Sequence, residues 1–296
     1  MSLNIIANVH DLNSAQETWF IQNVLFSGAP ISIGFDPGLL SNQTIVYLEL
    51  NEISADLIQH LRLANSKIVL YHMGDEHGAM SRVQYRNCDL VIRNYYFSEA
   101  LLDADNTGVM WAPCGFKTGV GPRLKRNLKS ASERNWLASF LGWMHNPQSY
   151  HGERKDFSNA TEKCSNNLFL LSSAGFAQGW NVGLYAIAME SSIFAPCPAG
   201  NAPETIRLYD ALELGCIPIS LSHEFLLSND ALALIGPVPF PVLGSWAELP
   251  QFLEVMKAKT LSNPTEIMEL QQRCINWWSD YKIAIQKKIS DRIEAL

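Results

Sequence analysis

Thr205, Arg207, Asp210 and Glu213 stand close together behind a proline- and glycine-rich loop, Cys197 to Pro203 (CPAGNAP). A guanidinium and a hydroxyl beside unpaired backbone N–H groups suit an anion such as phosphate. Carboxylates further along can accept from hydroxyls such as those of a ribose. A nucleoside diphosphate would therefore find partners here for its charge, at Gly200, Thr205 and Arg207, and for its sugar, at Asp210 and, one turn on, Glu213. A plainer account is open too: Arg207 and Asp210 at i,i+3 could be a surface ion pair contributing about 0.2–0.5 kcal/mol.

Three other places carry reactive side chains. The turn His72-Met73-Gly74-Asp75-Glu76-His77-Gly78 offers Asp75, Glu76 or His77 to take a proton from a hydroxyl acceptor, geometry deciding which. Asp75 could equally cap a following helix. The segment Arg93-Asn94-Tyr95-Tyr96 offers a cation and an aromatic platform for a phosphorylated or acidic acceptor. The loop from Met144 to Arg154 holds His145, His151 and Arg154, and Arg154 is placed to meet phosphate. The acids and histidines form no second cluster at ligand spacing, so no metal site is expected.

These residues need a scaffold that brings them to one edge. Ser191 to Pro196 reads as a buried strand, Cys197 to Pro203 as a loop, and Glu204 to Leu214 as a helix that Gly215 stops. Cys216 to Ile219 then starts another strand. Strand, loop, helix, strand is the crossover unit of a parallel sheet, and ligands bind at the carboxyl ends of such strands. Upstream, apolar runs at Leu3–Val9, Ile31–Phe35, Ile45–Leu50, Lys67–Tyr71, Asp89–Ile92 and Gly108–Ala112 predict six strands. Helical spacing falls between them at Asp11–Phe26, with Asn13 and Ser14 as starters, and at Ser54–Leu63; Asp36-Pro37-Gly38 closes the second strand. Trp136 to Trp143 and Asn167 to Leu171 predict strands of a second domain, and Trp180 to Met189 a helix. Leu249–Leu261 and Asn263–Leu296 read as closing helices. The basic stretch Pro122 to Arg134 (PRLKRNLKSASER) predicts a solvated linker, giving domains 1–126 and 127–262 and a C-terminal helix, 263–296, crossing back over both.

Composition bounds the function. The chain has 296 residues, 47% hydrophobic and 17% charged, which suits two globular domains. A net charge of −7 disfavours nucleic acid as a partner. Six scattered cysteines without a C-x-x-C predict reduced, buried thiols. With no leader and no long apolar run, a cytoplasmic protein is expected; Trp277-Trp278 could still touch a membrane peripherally. No G-x-G-x-x-G follows the first strand, which weakens a dinucleotide-dependent oxidoreductase.

The run Ser191–Ser220 resembles the C-terminal half of exostosin-like glycosyltransferases, through Ser192, Phe194, Pro196, Pro198, Gly200, Thr205, Arg207, Asp210, Ala211, Leu212, Gly215, Cys216, Ile217 and Pro218. Asp210 stands where that family usually has Glu, which shortens the reach to a ribose by one methylene. Gly142 and Arg154 match a looser F-x-G…Arg pattern. The resemblance implies a GT-B fold, α/β with two Rossmann-like doubly wound domains facing a cleft, in a soluble relative of bacterial type. It implies inverting, metal-independent transfer from a nucleotide sugar, with UDP-sugar expected, to a glycan or lipid-linked glycan acceptor in surface polysaccharide synthesis. No cofactor beyond that donor is implied. A CMP- or GDP-sugar transferase, and a non-catalytic sugar or nucleotide binder on the same fold, are the alternatives.

Overall fold

The computed structural model describes residues 3–7, 16–33, 42–50, 52–102, 108–175, 178–179 and 181–296. The expected helix starters Asn13 and Ser14, the turn Asp36-Pro37-Gly38, the end of the first strand at Asn8-Val9 and the helix residue Trp180 lie outside those residues. The chain divides into two compact units: Met1–Cys114 with Ser228–Ile235 and Tyr281–Leu296, and Gly115–Leu227 with Gly236–Asp280.

The first unit is built on a six-stranded parallel sheet, ordered β2-β1-β3-β4-β5-β6. The strands are β1 (Leu3–Ala7), β2 (Ile31–Ile33), β3 (Thr44–Glu49), β4 (Lys67–His72), β5 (Leu90–Arg93) and β6 (Gly108–Trp111). All of their pairings are parallel. A parallel sheet is covered on both faces, so its inner strands are apolar throughout rather than alternating; β3 is accordingly buried at every position. Helix α1 (Thr18–Phe20) runs into a π turn, Ile21–Leu25, that buries Ile21 and Leu25. Helix α2 (Ala55–Leu63) starts where the Ser54 hydroxyl accepts from the Leu57 N–H at 3.3 Å, and packs Ile58 and Leu61 inward. Helix α3 (Ser98–Leu102) leads towards β6.

The second unit repeats the design. Its strands are β7 (Trp136–Gly142), β8 (Leu168–Ser172), β9 (Ser192–Pro196), β10 (Ile217–Leu221) and β11 (Val242–Leu243), parallel and ordered β11-β10-β9-β7-β8. Between them lie α4 (Glu153–Thr161), α5 (Val182–Glu190), α6 (Ile206–Glu213) and α7 (Glu224–Leu227), followed by α8 (Leu249–Ser262) and α9 (Pro264–Glu294). The Asn181 side chain caps α5 by accepting from the Leu184 N–H at 2.8 Å. Gly215 ends α6 with a left-handed φ of +68°, letting the Cys216 N–H reach back to the Ala211 carbonyl and the chain turn into β10. In each sheet the first strand lies between the second and the third. The strand order therefore reverses at β1/β3 and at β7/β9, the position at which open parallel sheets bind ligands beyond their carboxyl ends.

Several expectations meet different surroundings. The chain passes from one unit to the other at Cys114–Gly115, ahead of the basic stretch, which lies wholly in the second unit. Arg134 in that stretch is buried, not solvated. Its guanidinium donates to the carbonyls of Lys129, Ser192 and Leu214 at 2.8–3.2 Å, and to that of Met189 at 3.4 Å. Carbonyls at helix C-termini have no intrahelical partner and carry partial negative charge, which explains a cation beside the ends of α5 and α6. Trp277 and Trp278 are also buried, so they offer no membrane contact; the Trp278 indole N–H donates to Glu213 at 2.7 Å. All six cysteines are buried thiols. Among the described residues, no helix is long and apolar enough to cross a membrane.

Candidate functional site

In the second unit the sequence-predicted donor residues gather at the β7/β9 reversal. β7 ends at Gly142, and its following loop leads into α4, whose second residue is Arg154. β9 ends at Pro196, and the 197–205 loop leads into α6, whose second residue is Arg207. Two buried guanidiniums thus come from two helix N-termini onto one ring. Arg154 Cζ stands 5.1 Å and Arg207 Cζ 4.4 Å from the centroid of Phe140, two residues before the end of β7. Gly142 lies beside the ring and Arg207: a Cβ there would come 3.3 Å from Phe140 Cζ and 3.4 Å from Arg207 Nη2.

The two arginines are held differently. Arg154 donates through Nε to the Ala199 carbonyl at 2.7 Å and through Nη1 to the Trp143 carbonyl at 3.4 Å. Burial, then the neighbouring Arg207 charge, lowers its pKa to about 10. Arg207 is 5% exposed and makes no hydrogen bond among the described residues; its Nη1 is buried and unsatisfied. Its Cζ lies over two aromatic rings, Phe140 and, at 5.3 Å, Tyr185 of α5. Burying a cation without hydrogen-bond partners is expensive, and the buried Asp210 carboxylate on the same helix is a charge that acts on it.

The rest of the predicted set surrounds this pair. Thr205 is the N-cap of α6 in extended geometry, and its side chain does not cap the helix. Gly200 accepts from the Tyr150 N–H at 2.7 Å and has open space where a Cβ would stand. Asp210 and Glu213, expected at a ribose, are 1% and 3% exposed and fasten loops to α6. Asp210 accepts from the Lys117 N–H at 2.8 Å and the Tyr185 hydroxyl at 2.9 Å, and burial raises its pKa to about 6. Glu213 accepts from the Arg123 N–H and the Trp278 indole, both at 2.7 Å. A desolvated carboxylate needs such donors, and these come from the protein itself.

In the first unit, Asp75 and Arg93 meet as a buried ion pair at 3.1 Å, 3% and 1% exposed. Asp75 Oδ1 also accepts from the N–H groups of Ala79 and Met80 at 2.8 and 3.1 Å, so this acid holds its own turn. Gly74 makes that turn possible: φ is +91°, and a Cβ would lie 2.7 Å from the Leu50 carbonyl oxygen. Arg93 also lies over the Phe97 ring at 5.5 Å. Glu76 is half-buried and accepts from the Tyr95 hydroxyl at 3.1 Å, with Tyr95 in a left-handed conformation at φ +53°. A bulky side chain in that region is strained, a feature concentrated at functional sites. His77 is exposed. Among the described residues no group of three or more His, Cys, Asp or Glu is placed to hold a metal.

Phe140 and Tyr185 were not singled out by sequence reasoning as the rings that Arg207 lies over. The two-residue step from Phe140 to Gly142 along β7 puts both on one face, which is a legible signal. Nothing in the sequence tells that Tyr185, on a helix one crossover earlier, reaches the same guanidinium.

Known proteins match at both levels. The human ribitol-5-phosphate xylosyltransferase 1 (Homo sapiens) is 26% identical over 180 residues, 55% of this chain and 39% of that protein. The probable beta-1,4-xylosyltransferase IRX10 of Arabidopsis thaliana is 32% identical over 92 residues, 29% of this chain and 20% of that protein. The chain therefore spans well under half the length of these relatives. Among solved structures, the DNA-modifying beta-glucosyltransferase studied with and without uridine diphosphoglucose superposes with a TM-score of 0.56 at 12% identity, covering 99% of each chain. An alpha1,3-fucosyltransferase superposes with a TM-score of 0.51 at 13% identity, covering 96% of this chain and 90% of that one. These structures identify the pair of doubly wound parallel-sheet units as the GT-B fold. The family described as the RXYLT1 C-terminal domain matches residues 122–295, most of the second unit with the arginine pair and all of α9, and the chain belongs to that family.

Proposed function

We propose that the protein is a glycosyltransferase whose second unit binds the diphosphate of a nucleotide sugar between Arg154 and Arg207. The observation that carries this reading is Arg207: a buried guanidinium over two aromatic rings, without a hydrogen bond among the described residues, beside a second arginine. Preorganised positive charge at the leaving diphosphate is the catalytic contribution such a pair makes. The Gly200–Thr205 loop adds backbone N–H groups at the start of α6. The names of the relatives, both xylosyltransferases, support a pentosyl donor, and UDP-xylose is the donor proposed. Transfer is proposed to invert the anomeric centre in a single displacement, to a hydroxyl of a glycan or lipid-linked glycan acceptor. Glu76 is proposed as the base ahead of Asp75, because Asp75 is committed to Arg93 and to its own turn.

Calorimetric titration with UDP, GDP, CMP and UDP-xylose tests the reading. UDP and UDP-xylose should bind, and Arg207→Gln should weaken both by about 30- to 100-fold, the effect of losing charge-assisted hydrogen bonds worth ~2–3 kcal/mol. Preference for GDP or CMP would replace the donor and keep the site. Nucleotide binding without turnover against any acceptor would make the protein a binder. Equal binding by wild type and Arg207→Gln would refute the arginine pair as the diphosphate site.

A further inference from the structure

Next to the arginine pair lies a second buried polar cluster that the reading above does not use. Glu153, the first residue of α4, is 5% exposed. Its Oε1 accepts from the Ala199 N–H and from the Trp246 indole N–H, both at 2.8 Å. Its Oε2 pairs with His223 Nε2 at 3.1 Å. Glu153 and Arg154 together grip a single residue: one takes the Ala199 N–H, the other donates to the Ala199 carbonyl. The loop that carries Gly200 is thus fixed by two consecutive side chains of α4.

His223 follows β10, on the far side of that loop from the β7/β9 reversal. Its ring lies 6.1 Å from that of Tyr150, whose N–H donates to the Gly200 carbonyl. On its other side it stacks on Phe225 at an interplanar angle of 17°. The side chain is only 9% exposed, and its Nε2 is buried without a hydrogen-bond partner among the described residues. Glu153 Oε2 therefore faces the ring at ion-pair distance, not through a directed hydrogen bond. A ring nitrogen accepts a hydrogen bond when it carries no proton and donates one when it does. A hydroxyl can serve either state, since it both donates and accepts.

We propose that His223, oriented by Glu153, is a donor-binding residue that contacts a ring hydroxyl of the nucleotide sugar, and that Glu153 is its positioning residue. The proposal rests on the diphosphate lying at Arg154 and Arg207. From there the ligand extends past Gly200, where the loop leaves open space. The hydroxyl belongs either to the transferred sugar or to the ribose, and three probes separate them.

The experiment measures dissociation constants of inorganic pyrophosphate, UDP and UDP-xylose for wild type, His223→Phe and Glu153→Gln, with the melting temperature of each. Phe keeps the stacking on Phe225 and removes the ring nitrogens. Gln keeps one acceptor for Ala199 and Trp246 and removes the charge behind the imidazole. The proposal expects His223→Phe to weaken UDP-xylose about tenfold, the size of one lost hydrogen bond, with pyrophosphate unchanged. Glu153→Gln should follow in the same direction with a smaller loss. If UDP holds its affinity, the hydroxyl is on the transferred sugar; if UDP weakens equally, it is on the ribose. Unchanged binding of all three probes by His223→Phe would overturn the proposal. So would a uniform loss for all three in step with a lowered melting temperature, which would mark a purely structural cluster. A wild type that binds none of the probes would instead sink the nucleotide-sugar reading on which this one stands.

Discussion

At the scale of single residues, the second unit accepts instability in order to hold charge. Arg207 is buried without a hydrogen-bond partner among the described residues, and the burial of such a cation opposes folding, offset only in part by the Asp210 charge and the two rings. Arg207→Met should therefore raise the stability of the ligand-free protein, by about 1 kcal/mol in urea unfolding, while abolishing nucleotide binding. A variant less stable than wild type would show that the guanidinium is already fully compensated. Asp210 makes a related prediction with a definite sign. Burial raises its pKa to about 6 from the ordinary 3.8, so the folded protein holds that proton more tightly than the unfolded chain. Stability from this group is fully present at low pH and falls as pH rises from about 4 to about 6, by on the order of 2–3 kcal/mol. Asp210→Asn removes the ionisation. The unfolding free energy of the variant minus that of wild type should rise by about that amount between pH ~4 and ~7. A flat difference would mean that Asp210 ionises as readily folded as unfolded.

At the scale of elements, the site depends on where helices begin and end. Both arginines occupy the second position of their helices, so the 143–152 and 197–205 loops set their aim. Helix ends matter as much. Gly215 is left-handed, and a Cβ there would come 3.1 Å from Arg134 Nη2 and 3.2 Å from Leu128. Gly215→Ala should destabilise by about 1–2 kcal/mol in urea unfolding, through the left-handed backbone and the crowding together. Arg134→Met should be more damaging, about 3 kcal/mol, because it strands the carbonyls of Ser192 and Leu214 that the guanidinium serves. A loss under 1 kcal/mol would show that water can take over those carbonyls.

At the scale of the whole molecule, α9 belongs to two bodies. Its residues up to Asp280 lie in the second unit and those from Tyr281 lie in the first. Tyr281, Ile285, Ile289 and Ile293, spaced every four residues, are all 2% exposed or less. Each buried aliphatic side chain of this size contributes about 1.5–3 kcal/mol. Deleting residues 281–296 should therefore remove a large part of the stability that a domain ordinarily has. Hydrogen exchange should show β1, β3 and β4 losing protection while β7 and β9 keep theirs. Retained protection in β3 and β4 would mean that the first unit closes its core without the helix end.

The sequence by itself determined the elements and the class of chemistry. Apolar runs broken by Gly and Pro marked the strands, since a doubly covered parallel sheet must be apolar throughout. The order Pro198, Gly200, Thr205, Arg207, Gly215, Pro218 marked the strand–loop–helix–strand unit, with Gly215 answering a backbone demand at the helix end. Local pattern also placed Arg154 and Arg207 at the starts of α4 and α6. It could not reveal what those side chains meet. That Arg207 lies over Phe140 and Tyr185, that Asp75 is bound to Arg93, that Asp210 and Glu213 fasten loops, and that Arg134 is buried all depend on pairings 18 to 93 residues apart in the chain. Tertiary structure decided those, because a charge removed from water must be matched by whatever groups the packed elements bring beside it, and no local spacing specifies them.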